Sequence, residues 1–143
     1  MATFKNYDPD RVVLALFGIP ITGYADGTFI NVERDTETFT KSIGAQGDVV
    51  RVRSRDKSGT ITVTLMSSSP ANDLLSARMI LDEETGLGYG PALVKELNGT
   101  TLVKAGNAWI EKPPSVEYGK EDGTREWKIV CANLEMFVGG LVV

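Results

Sequence analysis

The chain is 143 residues long with a net charge of −4, 42% hydrophobic and 24% charged residues, a balance that fits one soluble globular domain able to bury a core without disulfides or metals. It has no histidine and a single cysteine, Cys131, which excludes an intrachain disulfide and removes the commonest general base, metal ligand and partner of Ser or Cys nucleophiles. Net acidity argues against a general nucleic-acid coat, while leaving room for a local basic face.

Met1 opens directly onto ATFKNYDPDR, without a charged-then-apolar signal pattern, and no apolar run reaches the roughly 18 residues of a membrane helix. The expectation is a protein made and used, or assembled, in a cytoplasm, away from membranes. Arg11 to Phe17 is a continuous apolar run, the pattern of a strand covered on both faces, stopped by Gly18-Ile19-Pro20. Thr28 to Asp35 reads as a second strand with Ile30 and Val32 inward and Asn31 and Glu33 outward.

Thr36 to Gly47, TETFTKSIGAQG, has no secure periodicity and carries two apolar residues, Phe39 and Ile43, four apart. A connection of this length without structure of its own is more often functional or partner-bound than idle, so it reads as a protruding loop or open hairpin. The strongest local signal follows in Asp48 to Met66. Val50, Val52, Ile61, Val63 and Leu65 alternate with Arg51, Arg53, Thr60, Thr62 and Thr64, and Arg55 to Gly59 supplies a polar, Gly-ended connection, so the stretch predicts a hairpin with one apolar face and one Arg/Thr face.

Ser69-Pro70 then starts a helix: Ser69 can cap, Pro70 fits the first helical position, Leu74, Arg78 and Leu81 recur at helical spacing, and Gly86 ends it. Gly90 to Leu97 and Thr100 to Lys104 flank Asn98-Gly99, a dipeptide suited to a tight hairpin turn. Pro113 and Pro114 force a break after Trp109-Ile110, Gly119 to Gly123 is a charged turn, and Arg125 to Val138 is one long strand with apolar residues on both parities. No repeat or linker divides the chain, so residues 1–143 read as a single domain.

Catalytic patterns are absent. Asp82-Glu83-Glu84 reads as a solvated helix end, and Gly86 to Gly90 lacks phosphate-cradle spacing and follows a helix instead of preceding one. Cys131 lies in an apolar strand as an inert thiol, and Asn98-Gly99-Thr100 is a turn more than a glycosylation site. Arg51, Arg53 and Arg55 are the one chemical feature that stands out. They could contact nucleic-acid phosphate, pair with Glu33, Asp35 or Glu37 of a neighbouring subunit, or form a plain solvated face.

In this order of elements, and in Ala108 to Lys120 (AWIEKPPSVEYGK) followed by Arg125-Glu126-Trp127, the chain resembles the tail-tube proteins of contractile-tailed bacteriophages, and more distantly the tube proteins of phage-tail-like bacteriocins and type VI secretion systems. The resemblance implies a mainly β fold, an antiparallel barrel or sandwich with one flanking helix at about residues 70–84 and a long protruding loop at about 36–47. It further implies a non-enzymatic subunit without cofactor or metal, assembled into hexameric rings that stack into the inner tube of a contractile tail. Sheath, baseplate and tape-measure proteins would be its partners in the virion, and DNA would pass through without sequence-specific binding. On this reading Phe39, Lys41, Ile43 and Gln46 belong to an inter-ring loop, and Arg51, Arg53, Arg55, Glu33, Asp35 and Glu37 face a neighbouring subunit or the lumen. The alternative class is a small β-barrel that binds a ligand or partner as a monomer or dimer, for which the sequence offers no aromatic cluster or convergent polar set.

Overall fold

The alternating run Gly59–Met66 becomes the central strand of the structure, a computed structural model that describes residues 2–143. Ten strands form in chain order: β1 (Val12–Leu16), β2 (Ile19–Pro20), β3 (Ile30–Arg34), β4 (Phe39–Ile43), β5 (Val49–Arg53), β6 (Gly59–Met66), β7 (Gly90–Glu96), β8 (Leu102–Ile110), β9 (Thr124–Cys131) and β10 (Leu134–Phe137). Among the described residues a single α-helix, α1 (Ala71–Thr85), sits between β6 and β7, and a short 3-10 turn, Pro9–Arg11, precedes β1. Among the described residues, eight strands make one sheet in the order β2-β1-β7-β8-β9-β6-β3, with β10 beside β8, and β4 and β5 form a separate pair. Every pairing is antiparallel.

Period-two patterning explains the core. Ile61, Val63 and Leu65 are fully buried while Thr60, Thr62 and Thr64 are half-exposed, as alternation on a pleated strand requires. They meet Ile129, Trp127 and Arg125 across the β6–β9 ladder, and Trp127 and Ile129 are buried with them. Leu14 and Leu16 of β1, at the far side of the sheet, join the same apolar cluster, so the sheet curls over one core in the manner of a sandwich and does not close into a barrel. Val12 of β1 and Ile30 and Val32 of β3 line one cleft between the two ends of the sheet.

The helix forms where its sequence signals predict, within one residue of the expected bounds, but Leu74 and Leu81 of the expected apolar stripe are exposed and Ala71 and Leu75 face the core instead. The Ser69 hydroxyl accepts from the Ala71 amide (3.2 Å) and donates to the Thr22 carbonyl (2.6 Å), so the capping residue also ties the helix to the 20–29 segment. Gly86 ends α1 in the left-handed conformation, its amide bonded to the Asp82 carbonyl, the position where glycine carries no Cβ penalty. Ala71 and Leu75 enter the core, and the Asn72 side chain accepts the Trp127 indole N–H at 2.9 Å. Beyond the helix, Arg78 donates to the carbonyls of Gly88 and Tyr89 and lies over the Phe17 ring. Gly86 to Gly90 is thus a packed junction between α1 and β7.

Two sequence expectations are corrected. The Arg/Thr hairpin does not exist as such: β5 pairs with β4, whereas β6 pairs with β3 and β9. Val50 and Val52 are therefore exposed instead of buried beside Ile61 and Val63. The long C-terminal strand is β9 and β10, interrupted at Ala132-Asn133 opposite Gly106-Asn107, although both halves continue one register along β8. The Asn98-Gly99 hairpin joins β7 to β8 as predicted.

Trp127→Ala empties the largest buried site and strands the Asn72 carbonyl, so it should cost about 3–5 kcal/mol of unfolding free energy. Urea denaturation followed by circular dichroism checks this, and a loss below about 1 kcal/mol would contradict the packing described.

Candidate functional site

Thr36 to Gly47 is the first arm of a protruding hairpin, the open-hairpin form of the expected loop. β4 and β5 pair from Phe39–Arg53 to Ile43–Val49. Gly44 and Asp48 close the turn, the Gly44 amide donating to the Asp48 carbonyl at 2.8 Å. Five paired positions at about 3.4 Å per residue carry the ribbon roughly 17 Å from its root. All residues of both strands are exposed, including Phe39, Ile43, Val49, Val50 and Val52.

The root is fixed by short polar contacts. Arg34 at the end of β3 donates through Nε and Nη2 to the Leu134 carbonyl (3.2 and 2.8 Å) and through Nη1 to the Thr38 hydroxyl (3.2 Å). Asp35 accepts from the hydroxyls of Ser58 and Thr60. Asp56 accepts from the Ser58 hydroxyl and amide and from Thr36, and the Ser58 bonds hold its carboxyl below the usual carboxylate range. Gly59 must be glycine here, because a Cβ would lie 2.8 Å from the Glu33 carbonyl oxygen and closer still to the Leu134 side chain. The hairpin is anchored at its root and uncovered along its length.

Cross-strand register sorts the two faces. Phe39, Lys41 and Ile43 share one face with Arg53, Arg51 and Val49, while Thr40 and Ser42 share the other with Val52 and Val50. The Arg51 guanidinium sits 4.3 Å from the centre of the Phe39 ring, a cation–π contact that holds the charge against the apolar side chain. The structure thus brings Phe39, Lys41, Ile43, Arg51 and Arg53 together. Gln46 lies in the turn and Arg55 beyond the end of β5, both exposed. Glu33, Asp35 and Glu37 lie at the root, also exposed, and form no salt bridge with these arginines within the chain. Lys41 was legible as a loop residue, but its place beside Arg51 needed the β4–β5 pairing.

The rest of the surface offers no reactive constellation. Among the described residues no group of three His, Cys, Asp or Glu side chains is placed to hold a metal ion, and no helix is long and apolar enough to cross a membrane. Cys131 is fully buried, and burial, with the Asp35 charge in second place, pushes its thiol up to about 11.

The curled antiparallel sheet with one helix is a fold that recurs in solved components of contractile injection systems. Three solved structures share the fold. They are the tube-terminating cap of the anti-feeding prophage (9% identity, TM-score 0.59, 96% of this chain and 94% of that one), the sheath/tube terminator of the extracellular contractile injection system PVC in its extended state (12%, 0.58, 96% and 100%), and the extended PVC sheath–tube complex (11%, 0.60, 96% and 93%). The structural protein ORF10 of Pseudomonas phage KPP10 is 30% identical over 144 residues, covering 95% of this chain and 83% of that protein. The family described as Bacteriophage PhiTE tail tube protein matches residues 21–139, and the chain belongs to this family of phage tail tube proteins.

The raised thiol has a sign that can be tested. A folded value above the unfolded one means that protonated Cys131 adds stability that is complete below about pH 9 and is lost as pH rises toward about 11. A disulfide reagent at pH 8 should leave the native thiol unlabelled over hours and modify it at once in denaturant. Fast native labelling would place Cys131 outside the core.

Proposed function

We propose that this chain is a non-enzymatic subunit that self-assembles into stacked hexameric rings, the inner tube of a phage contractile tail and the conduit for DNA ejection. One observation carries the reading: a two-stranded ribbon with five exposed large apolar residues, covered by nothing in its own chain. Isolated two-stranded ribbons are marginal in water, and apolar patches of this kind mark interaction surfaces. A further copy is the cover that every assembly of this chain has available.

An open sheet edge supports the same reading. Among the described residues β3 pairs only with β6, so it leaves a row of backbone donors and acceptors that a neighbouring subunit can complete; on β10 the Leu134 amide and carbonyl are already taken by Lys57 and Arg34. Where such an edge meets a different surface of the next copy the contact is heterologous, and heterologous contacts close into rings or extend into filaments. In the assembled tail, residues 1–143 act as one tube domain, with sheath around it, baseplate and tape-measure proteins as further partners, and assembly in the host cytoplasm before release in the virion. Phe39, Lys41, Ile43 and Gln46 form the contact between rings, and Arg51, Arg53 and Arg55 face a neighbouring copy.

Negative-stain electron microscopy and light scattering of the purified chain test this. Rings or hollow tubes are expected, and a monomer at every concentration would overturn the reading. Replacing residues 39–53 by two glycines should leave the melting temperature within a few degrees of the parent, because the hairpin packs mainly on itself, while abolishing stacked assemblies. Tubes formed by that variant would remove the hairpin from the mechanism.

A further inference from the structure

The hairpin is the basic part of an acidic chain. Between Thr38 and Ser54 it carries Lys41, Arg51 and Arg53 against the single acid Asp48, in a protein of net charge −4, so the remainder is more acidic still. The charge is concentrated on one face, interleaved with Phe39, Ile43 and Val49.

A surface of the opposite character lies elsewhere on the chain. A cleft of about 820 Å³ opens beside Val12, Val13 and Leu14 of β1, with Tyr24 and Phe29 as aromatic walls and Asp10 and Asp26 as its only charged lining residues. It adjoins a second cleft between β1 and β3, about 610 Å³, whose only charged lining residue is Glu96. No lysine or arginine lines either. Asp10 and Asp26 are exposed and form no salt bridge among the described residues. The bases nearest in sequence to Asp10 are engaged elsewhere: Arg11 Nε donates to the Asn98 side chain (3.3 Å) and Lys5 Nζ to the Leu141 carbonyl (2.8 Å). In the cleft wall the Tyr24 hydroxyl is buried and makes no hydrogen bond of standard geometry.

Position along the fold favours one occupant. The hairpin leaves the sheet at the Gly59 end of β6. The cleft segment is tied to the other end, where Tyr24 bridges Leu65, the Ala25 amide donates to the Thr64 carbonyl and the Met66 amide to the Gly23 carbonyl. The seven residue steps along β6 from Gly59 to Met66, at about 3.3 Å each, separate the two by roughly 23 Å. The hairpin is rooted at the opposite end of β6 from its own cleft, and a second copy placed head to tail brings its hairpin to that end. Among the acids at the hairpin root, Asp35 is a poorer receptor, because it is already held by Ser58 and Thr60.

We propose that the acidic cleft at Asp10 and Asp26 receives the cationic face of the hairpin, Lys41, Arg51 and Arg53 with Phe39, from another copy of this chain. The inference rests on the tube reading and specifies its contact. Apolar side chains fill the cleft, and the charges at its rim select the orientation.

Complementary charge reversal tests it. One variant carries Arg51→Glu with Arg53→Glu, the other Asp10→Lys with Asp26→Lys; all four positions are exposed, and circular dichroism melts check that both fold. In low salt, each variant alone should assemble about tenfold less than the parent by sedimentation and electron microscopy, since like charges then meet at every contact. A one-to-one mixture should assemble again, because each reversed hairpin meets a reversed cleft. Should a reversal unfold the chain, the neutral pair Arg51→Gln, Arg53→Gln reads the same contact, as weaker assembly that no longer falls as salt rises. Parent tubes with either reversal assembling normally, or a mixture that stays dispersed, would overturn the cleft as receptor and leave the tube reading standing. A parent that never assembles would overturn both.

Discussion

The β6–β9 ladder is the constraint on which the rest of the structure depends. Its register, from Gly59 opposite Cys131 to Met66 opposite Thr124, places Ile61, Val63 and Leu65 against Trp127 and Ile129 at the centre of the core. From this pair the sheet extends to β3 on one side and through β8 to β7 and β1 on the other. A one-residue slip would turn the threonines inward and the aliphatic side chains out, so burial fixes the register. The ends of β6 then fix everything that hangs from them: the hairpin at Gly59, and the helix with its Ser69 cap a few residues past Met66.

Local patterns carried most of this fold in the sequence. Alternation in β6, the Ser69-Pro70 start and Gly86 stop of α1, and the Asn98-Gly99 connection are short-range signals, and each element formed where they pointed. What failed was partner choice. Val50-Arg51-Val52-Arg53 and Thr60 to Leu65 share the same alternation, and Arg55 to Gly59 has the composition of a turn, so pairing the two was locally consistent. The competing turn at Gly44 to Asp48 is also glycine-rich. Between the two, the decision lies with non-local contacts: β6 is needed by β9, one core strand against another, Asp35 holds Ser58 at the root, and Arg34 ties Thr38 to the Leu134 carbonyl. A window of sequence contains neither. β4 was hidden for a related reason, since Phe39 and Ile43, four apart, fit one face of a strand as well as one face of a helix.

The candidate interface was legible as residue types and not as geometry. Arg51, Arg53 and Lys41 could be singled out from the sequence, and their parity opposite Val50 and Val52 was correct. That Lys41 and Arg51 face each other, and that Arg51 rests on Phe39, follows only from the β4–β5 register. The acids foremost in the sequence, Glu33, Asp35 and Glu37, are near the arginines in the chain but lie at the hairpin root. Asp10 and Asp26 carry no short-range signal, since no short motif contains both, and only the folding of the 20–29 segment against β1 brings them to one cleft.

An exposed apolar ribbon is a hazard as well as an interface, because a flat uncovered strand pair invites indiscriminate pairing. Here the hazard and its control occupy the same residues. Lys41, Arg51 and Arg53 stand between Phe39, Ile43 and Val49 on one face, so two hairpins meeting face to face bring like charges together. The opposite face carries Thr40 and Ser42 with its valines, which dilutes its apolar character. Self-pairing of hairpins is thereby disfavoured, whereas an acidic apolar receptor relieves both the charge and the exposed surface. With the ribbon at one end of β6 and that receptor at the other, each subunit is polar along its length. Polarity of this kind makes growth directional without any contact that a subunit could satisfy by pairing with its own mirror face, and a tube rather than a closed dimer is the form it favours.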